Sequence, residues 1–119
     1  MTDGSAVDPA IPADPSRPAV GRLDTTPPSQ GERFDALVAH ASGTRIEHIV
    51  STPTADDARY DQDHDEWVVL LDGAATLDID GTAYDLTPGT WAWLPAHTPH
   101  RVMRCAPETR WLAVHLPPR

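Results

Sequence analysis

Tyr60, Gln62, His64 and Glu66 occupy every second position of one short stretch, and His100 follows further along the chain. On a β-strand, side chains two apart share a face. A regular strand over 60–66 would therefore turn these four to one side and Asp61, Asp63 and Asp65 to the other. Imidazole and carboxylate groups bind divalent cations, with an amide oxygen or water filling the remaining positions. Gln62, His64, Glu66 and His100 are thus candidate metal ligands: two histidines, one carboxylate and a neutral oxygen. The set suits zinc, iron or manganese without choosing among them. A metal-free reading stands beside it, in which Glu66 accepts a hydrogen bond from Tyr60 or His100 inside a polar pocket. Tyr60, Trp93 and His115 are candidate lining residues of that pocket. Trp93 shares a face with Trp91 on one apolar run, and His115 shares one with Trp111 and Ala113 on another. His97, inside Pro-Ala-His-Thr-Pro, reads as a partly exposed turn residue, while His40 and His48 carry no signal.

Other chemistries lack support. No Gly-x-Ser-x-Gly elbow, phosphate-binding loop, dinucleotide fingerprint or paired-cysteine zinc spacing occurs. The single cysteine, Cys105, excludes an internal disulfide, fits a reducing compartment and reads as a small hydrophobe packed in a strand. Acidic residues number 18 against 9 basic ones, and lysine is missing altogether. Binding a phosphate backbone needs clustered cations, so neither nucleic acid nor an anionic membrane is an expected partner. The acidity reads as solubility. No apolar stretch approaches the ~20 residues of a membrane span. The first residues lack the basic start and apolar core of a secretory leader, and the expected location is the cytoplasm.

The elements that must position these groups follow from periodicity and punctuation. Residues 1–30 hold six of the 13 prolines and few apolar side chains. Such a segment buries too little to offset its ordering entropy and reads as a disordered tail. Phe34, Leu37 and Val38 have helix-like spacing, which predicts a short helix or turn over 32–40. From Thr44 the period changes to that of strands. The predicted strands are Arg45–Val50, Trp67–Leu71, Ala75–Ile79, Ala83–Leu86, Trp91–Leu94, Arg101–Arg104 and Trp111–Leu116. Asp72-Gly73, Asp80-Gly81 and Pro88-Gly89 mark turns between them. Seven or eight short strands without βαβ spacing predict an all-β sandwich or barrel. Four tryptophans in so short a chain are expected mostly in its core.

Two motifs add a family resemblance. Glu66 is followed after six residues by Gly73, and Gln62 and Tyr60 stand where a His-x-His pair would precede that glutamate. Pro95-Ala96-His97-Thr98-Pro99-His100 resembles a Pro-x-Gly-x-x-His motif, with His97 in the place of the glycine. Together these resemble the small single-domain cupins, over residues 44–116. The string from Tyr60 to Val68 with the closing Trp111-Leu112-Ala113-Val114-His115 resembles a short bacterial subgroup without assigned activity. The resemblance implies a cupin-type double-stranded β-helix, a jelly-roll β-barrel, over 31–119 behind the tail of 1–30. It carries Glu66 and His100 across as ligand positions, and Tyr60 and Gln62 as occupants of ligand positions. It further implies a divalent metal and a small organic molecule in the barrel, with a homodimer as the expected assembly. The alternatives are a metal-free binding or sensing module lined by Tyr60, Gln62, Glu66 and Trp93, and a dimeric structural or accessory protein. The family hosts enzymes and non-catalytic binders alike, so the resemblance leaves enzymatic activity, substrate and reaction open.

Overall fold

The computed structural model describes residues 12–53 and 59–119, with the backbone of 6–7. Most of the first eleven positions of the expected tail, and Asp56 and Asp57 of the acidic stretch, lie outside the described residues. Among the described residues ten strands run in order: β1 (Ala6–Val7), β2 (Val20–Gly21), β3 (Glu32–Ala39), β4 (Arg45–Ser51), β5 (Glu66–Asp72), β6 (Ala75–Ile79), β7 (Thr82–Leu86), β8 (Trp91–Leu94), β9 (His100–Cys105) and β10 (Thr109–His115). A five-stranded sheet has the order β3-β4-β10-β5-β8, and a three-stranded sheet the order β7-β6-β9. Both are antiparallel throughout. Among the described residues there is no helix, and therefore none long and apolar enough to cross a membrane. The architecture is all-β, as the strand count and turn spacing predict, and a jelly roll, as the resemblance implies.

Alternation builds the interior. β5 buries Glu66, Val68 and Leu70, and β10 buries Thr109, Trp111, Ala113 and His115, with the intervening residues less covered. These inner residues meet Ile49, Ala75, Leu77, Leu86 and Leu94 in one core. Full burial of a side chain such as Leu70, which is 0% exposed, stabilises by about 1.5–3 kcal/mol. β4 is covered on both faces. Its outward His48 and Val50 stand in register with Asp35 and Arg33 of β3 and with Leu112 and Arg110 of β10.

The segment 32–40 corrects the sequence reading. Glu32–Ala39 is a strand, not a helix or turn. Its register against β4 shifts between Ala36 and Val38. The extra residue lets Phe34 and Val38 match a helix-like spacing while the backbone stays extended. Tertiary pairing to β4 decides the outcome, because a helix this short gains little by itself.

Two turns need their glycines. Asp80 and Gly81 have φ of 50° and 90°, the paired positive values of the tight hairpin that joins β6 to β7. Gly73, with φ +89°, sits against β10: a Cβ there would lie 2.5 Å from Thr109 Oγ1 and 2.8 Å from Thr109 Cα. The described part of the N-terminal segment is tied to the free edge of β3. The Ala13 amide donates to the Leu37 carbonyl at 2.9 Å. The Arg33 guanidinium donates to the carbonyls of Asp24 and Thr26 and also to the Asp35 carboxylate.

Candidate functional site

Strand register aligns one row of side chains along the inner end of the large sheet. Arg45 pairs with His115, His115 with Glu66, and Glu66 with Leu94. Facing them on the small sheet is His100, the first residue of β9. Tyr60 joins this edge through two backbone hydrogen bonds with His100, at 2.8 and 2.9 Å. Its ring stacks on the imidazole with centroids 5.6 Å apart. Between the sheets lies a cavity of about 210 Å³, the liquid volume of about seven water molecules. Its apolar lining is made by Phe34, Ile49, Val68, Leu77, Leu94, Val102 and Trp111. Its polar lining is made by Glu32, Arg45, Glu47, Tyr60, Gln62, Glu66, His100 and His115.

The polar wall is tightly wired. Gln62 Nε2 donates to Glu66 Oε1 at 2.9 Å. Glu66 Oε1 also faces His115 Nδ1 at 3.8 Å and His100 Nε2 at 4.0 Å. The Thr98 carbonyl accepts from His100 Nδ1 at 2.9 Å; a carbonyl only accepts, so that ring nitrogen carries its hydrogen. His115 contacts Glu47 Oε1 through Nε2 at 2.7 Å and His64 Nε2 through Nδ1 at 2.8 Å. Glu47 Oε2 accepts from Arg45 Nε at 3.1 Å. On the far side Trp111 Nε1 donates to Ser51 Oγ, and Ser51 Oγ to Glu32 Oε2 at 2.7 Å. Burial pushes the Glu47 carboxyl upward, but the hydrogen bond and charge of His115, with Arg45 behind, outweigh it and hold it below the ordinary range.

The structure brings Tyr60, Gln62, Glu66, His100 and His115 to one cavity and leaves Trp93 elsewhere. Trp93 is 43% exposed, because Ala92 and Leu94 take the inward positions of β8. Trp91 shares its outward face at 60% exposure, and of the four tryptophans only Trp111 belongs to the buried core. Residues 61–65 do not form a strand. Even so Tyr60, Gln62 and Glu66 keep the inward direction while Asp61 and Asp63 are exposed. His64 does not line the cavity; it lies behind His115, its Nδ1 3.0 Å from Asp63. Asp65 is buried as an anchor, accepting from the Ala96 amide at 2.9 Å and from Arg119. The Ala96 amide and Arg119 hold its carboxyl below the ordinary range. His97 is an exposed turn residue with φ 62°.

Among the described residues, no group of three or more His, Cys, Asp or Glu side chains is gathered as a metal ion would hold them. Gln62 spends an amide hydrogen on Glu66, and both nitrogens of His115 are engaged. Glu66 and His100 are the expected ligands whose donor atoms still face each other across the cavity end. Sequence reasoning missed Arg45, Glu47 and Glu32. The alternation Arg45-Ile46-Glu47-His48-Ile49 contained the signal for the first two: they share parity with Ile49, which faces the core.

The profile of the family described as Cupin domain matches residues 47–115. No curated protein matches the sequence. Among solved structures, a candidate mannose-6-phosphate isomerase from Ralstonia eutropha is similar at 32% identity and a TM-score of 0.73, covering 83% of this chain and 98% of that one. KdgF from a Halomonas species is similar at 22% identity and a TM-score of 0.66, covering 75% and 81%. An RmlC-like cupin from Shewanella frigidimarina aligns at 16% identity with a TM-score of 0.62, over 76% and 80%. The last two likenesses speak to the fold alone.

Proposed function

The chain belongs to the cupin family, and we propose that its barrel cavity is the binding site of a small organic molecule, contacted by Glu66, His100 and Gln62. The observation that supports this reading most is the pairing of Glu66 and His100 at the cavity end, with side chains only 8% and 9% exposed. Withdrawing such groups from water costs free energy unless partners replace it, and a ligand seated against the apolar lining supplies them. A cavity of about 210 Å³ is smaller than the ~300–1,000 Å³ typical of drug-sized ligands, which points to a compact molecule. The 32% identity to the Ralstonia protein adds sugars to the molecules worth trying.

The test is ligand screening by Trp111 fluorescence and by the melting temperature. Glu66→Ala and His100→Ala should each weaken binding of any hit at least tenfold, about 1.4 kcal/mol, while a Trp93→Ala variant should bind normally. Equal binding by all variants would remove the site from the cavity.

One observation favours a second reading. His100 gives its Nδ1 hydrogen to a backbone carbonyl, the arrangement that orients a ring for metal ligation through the other nitrogen. Glu66 and His100 would then hold a divalent zinc, iron or manganese ion, with Gln62 or His64 as further donors after a side-chain rotation. Such an ion would supply Lewis acidity. Plasma mass spectrometry of protein purified without a histidine tag decides this: near-stoichiometric metal supports it, and less than about a tenth of an equivalent after reconstitution with excess metal removes it.

A further inference from the structure

The acceptors at the cavity end specify which part of a ligand they fit. Gln62 uses its amide nitrogen on Glu66, so its Oε1 remains an acceptor. His100 uses its Nδ1 hydrogen on Thr98, so in the neutral ring Nε2 presents a lone pair. Among the described residues that nitrogen has no partner within hydrogen-bond distance: Glu66 Oε1 is 4.0 Å away, and the His100 side chain is 9% exposed. Glu66 supplies carboxylate oxygen beside both. Three acceptors of different origin thus meet at one end of the cavity, and one of them, His100 Nε2, makes no hydrogen bond among the described residues.

Charge points the same way. Glu32, Glu47 and Glu66 all line the cavity, and Arg45 is the one guanidinium among its described lining residues. Arg45 is committed through Nε to Glu47, two strands away from Glu66. Adjacent strands are about 4.8 Å apart, so the Arg45 backbone sits roughly 10 Å from the backbone of Glu66. A ligand carboxylate seated among the acceptors would meet the Glu66 carboxylate, whose hydrogen-bond donor is Gln62 and not Arg45.

Building on the small-molecule reading, we propose that the ligand enters with a protonated amine, seated among Glu66, His100 and Gln62. An ammonium group carries three donors and no acceptor, which matches three acceptors. Its charge complements Glu66, and its apolar body lies against Val68, Leu77 and Leu94 of the lining.

Matched probes test this with the full chain. Butyl, cyclohexyl, benzyl and glucosyl skeletons are each titrated as the ammonium, the alcohol and the carboxylate. The readouts are the Trp111 indole and Gln62 side-chain amide resonances. The expected result is that for at least one skeleton the ammonium binds tenfold or more tightly than its partners. Glu66→Gln, which keeps shape and removes charge, should erase that preference while a melting curve shows an intact fold. Alcohols or carboxylates binding as well as ammoniums would overturn the amine assignment and leave the small-molecule site standing. Zinc uptake without an ammonium preference would overturn it in favour of the metal reading. Silence from every probe would overturn the amine assignment, and silence from a wider screen as well would take the binding proposal with it.

Discussion

At the scale of single residues, the wall of the cavity is held by paired charges rather than by lone ones. Glu47 accepts from His115 and from Arg45, and its carboxyl lies below the ordinary glutamate value of 4.5 because these partners outweigh the opposing effect of burial. A carboxyl whose folded pKa is depressed contributes stability that is fully present above the unfolded value. That contribution drains away as pH falls through the folded value. Glu47→Gln should therefore flatten the acid limb of melting temperature against pH, scanned from about pH 3 to about pH 7. At neutral pH the same variant should cost about 1–3 kcal/mol, because His115 and Arg45 lose an ionic partner. An unchanged acid limb would show that Glu47 is not the group that His115 and Arg45 keep ionised. Glu66 and His100 were legible from motif spacing. Glu47 was missed although it shares parity with Ile49. Ile46 and Val50 make the other face apolar too, so alternation along 45–50 does not by itself say which face is inside. His48 was silent for the same reason, yet it is 0% exposed. Burial first, then Arg110, depresses its pKa.

At the scale of elements, turns were easier to read than faces. The hairpin at Asp80-Gly81 and the turn at Asp72-Gly73 follow from local backbone preferences, which the sequence states directly. The tryptophans of β8 and the strand Glu32–Ala39 depend on which neighbour pairs alongside, which it does not state. Gly73 shows how a motif glycine can be required by packing as well as by conformation. Its φ is +89° and its Cα faces Thr109. Thr109 cannot retreat easily, since it is 0% exposed and its hydroxyl serves the Ala106 and Ala74 carbonyls. Gly81 has φ +90° with nothing within 4 Å of a built Cβ. Gly81→Ala should therefore cost only the left-handed penalty of about 1–2 kcal/mol. Gly73→Ala should cost a further ~1–3 kcal/mol for overpacking. Chemical denaturation of the two variants separates the terms, and equal losses would mean that β10 moves aside at no cost.

At the scale of the whole molecule, the inner and outer faces of the large sheet are coupled through β3. Glu32 and Phe34 line the cavity, while Arg33 and Asp35 of the same strand pair with outward residues of β4. Arg33 grips Asp35 with Nε and Nη2 at 3.1–3.2 Å and also donates to the Asp24 and Thr26 carbonyls. The residues before β3, which composition alone presents as a weakly apolar run, are thus docked by a polar clasp and not by a hydrophobic one. That is why hydrophobic patterning gave no notice of it: a guanidinium meeting main-chain carbonyls leaves no periodic trace. Arg33→Ala removes the clasp and leaves Asp35, 8% exposed, without its cation. The expected loss is about 1–3 kcal/mol of stability, with faster hydrogen exchange at the Ala13 amide, which donates to Leu37. Trp111 fluorescence should change little, since that ring is fixed from the inner side by Ser51. Protected exchange at Ala13 in the variant would show that the strand-like contact of Ala13 with β3 holds the segment unaided. A shift in Trp111 emission would show instead that the clasp reaches through β3 to the cavity.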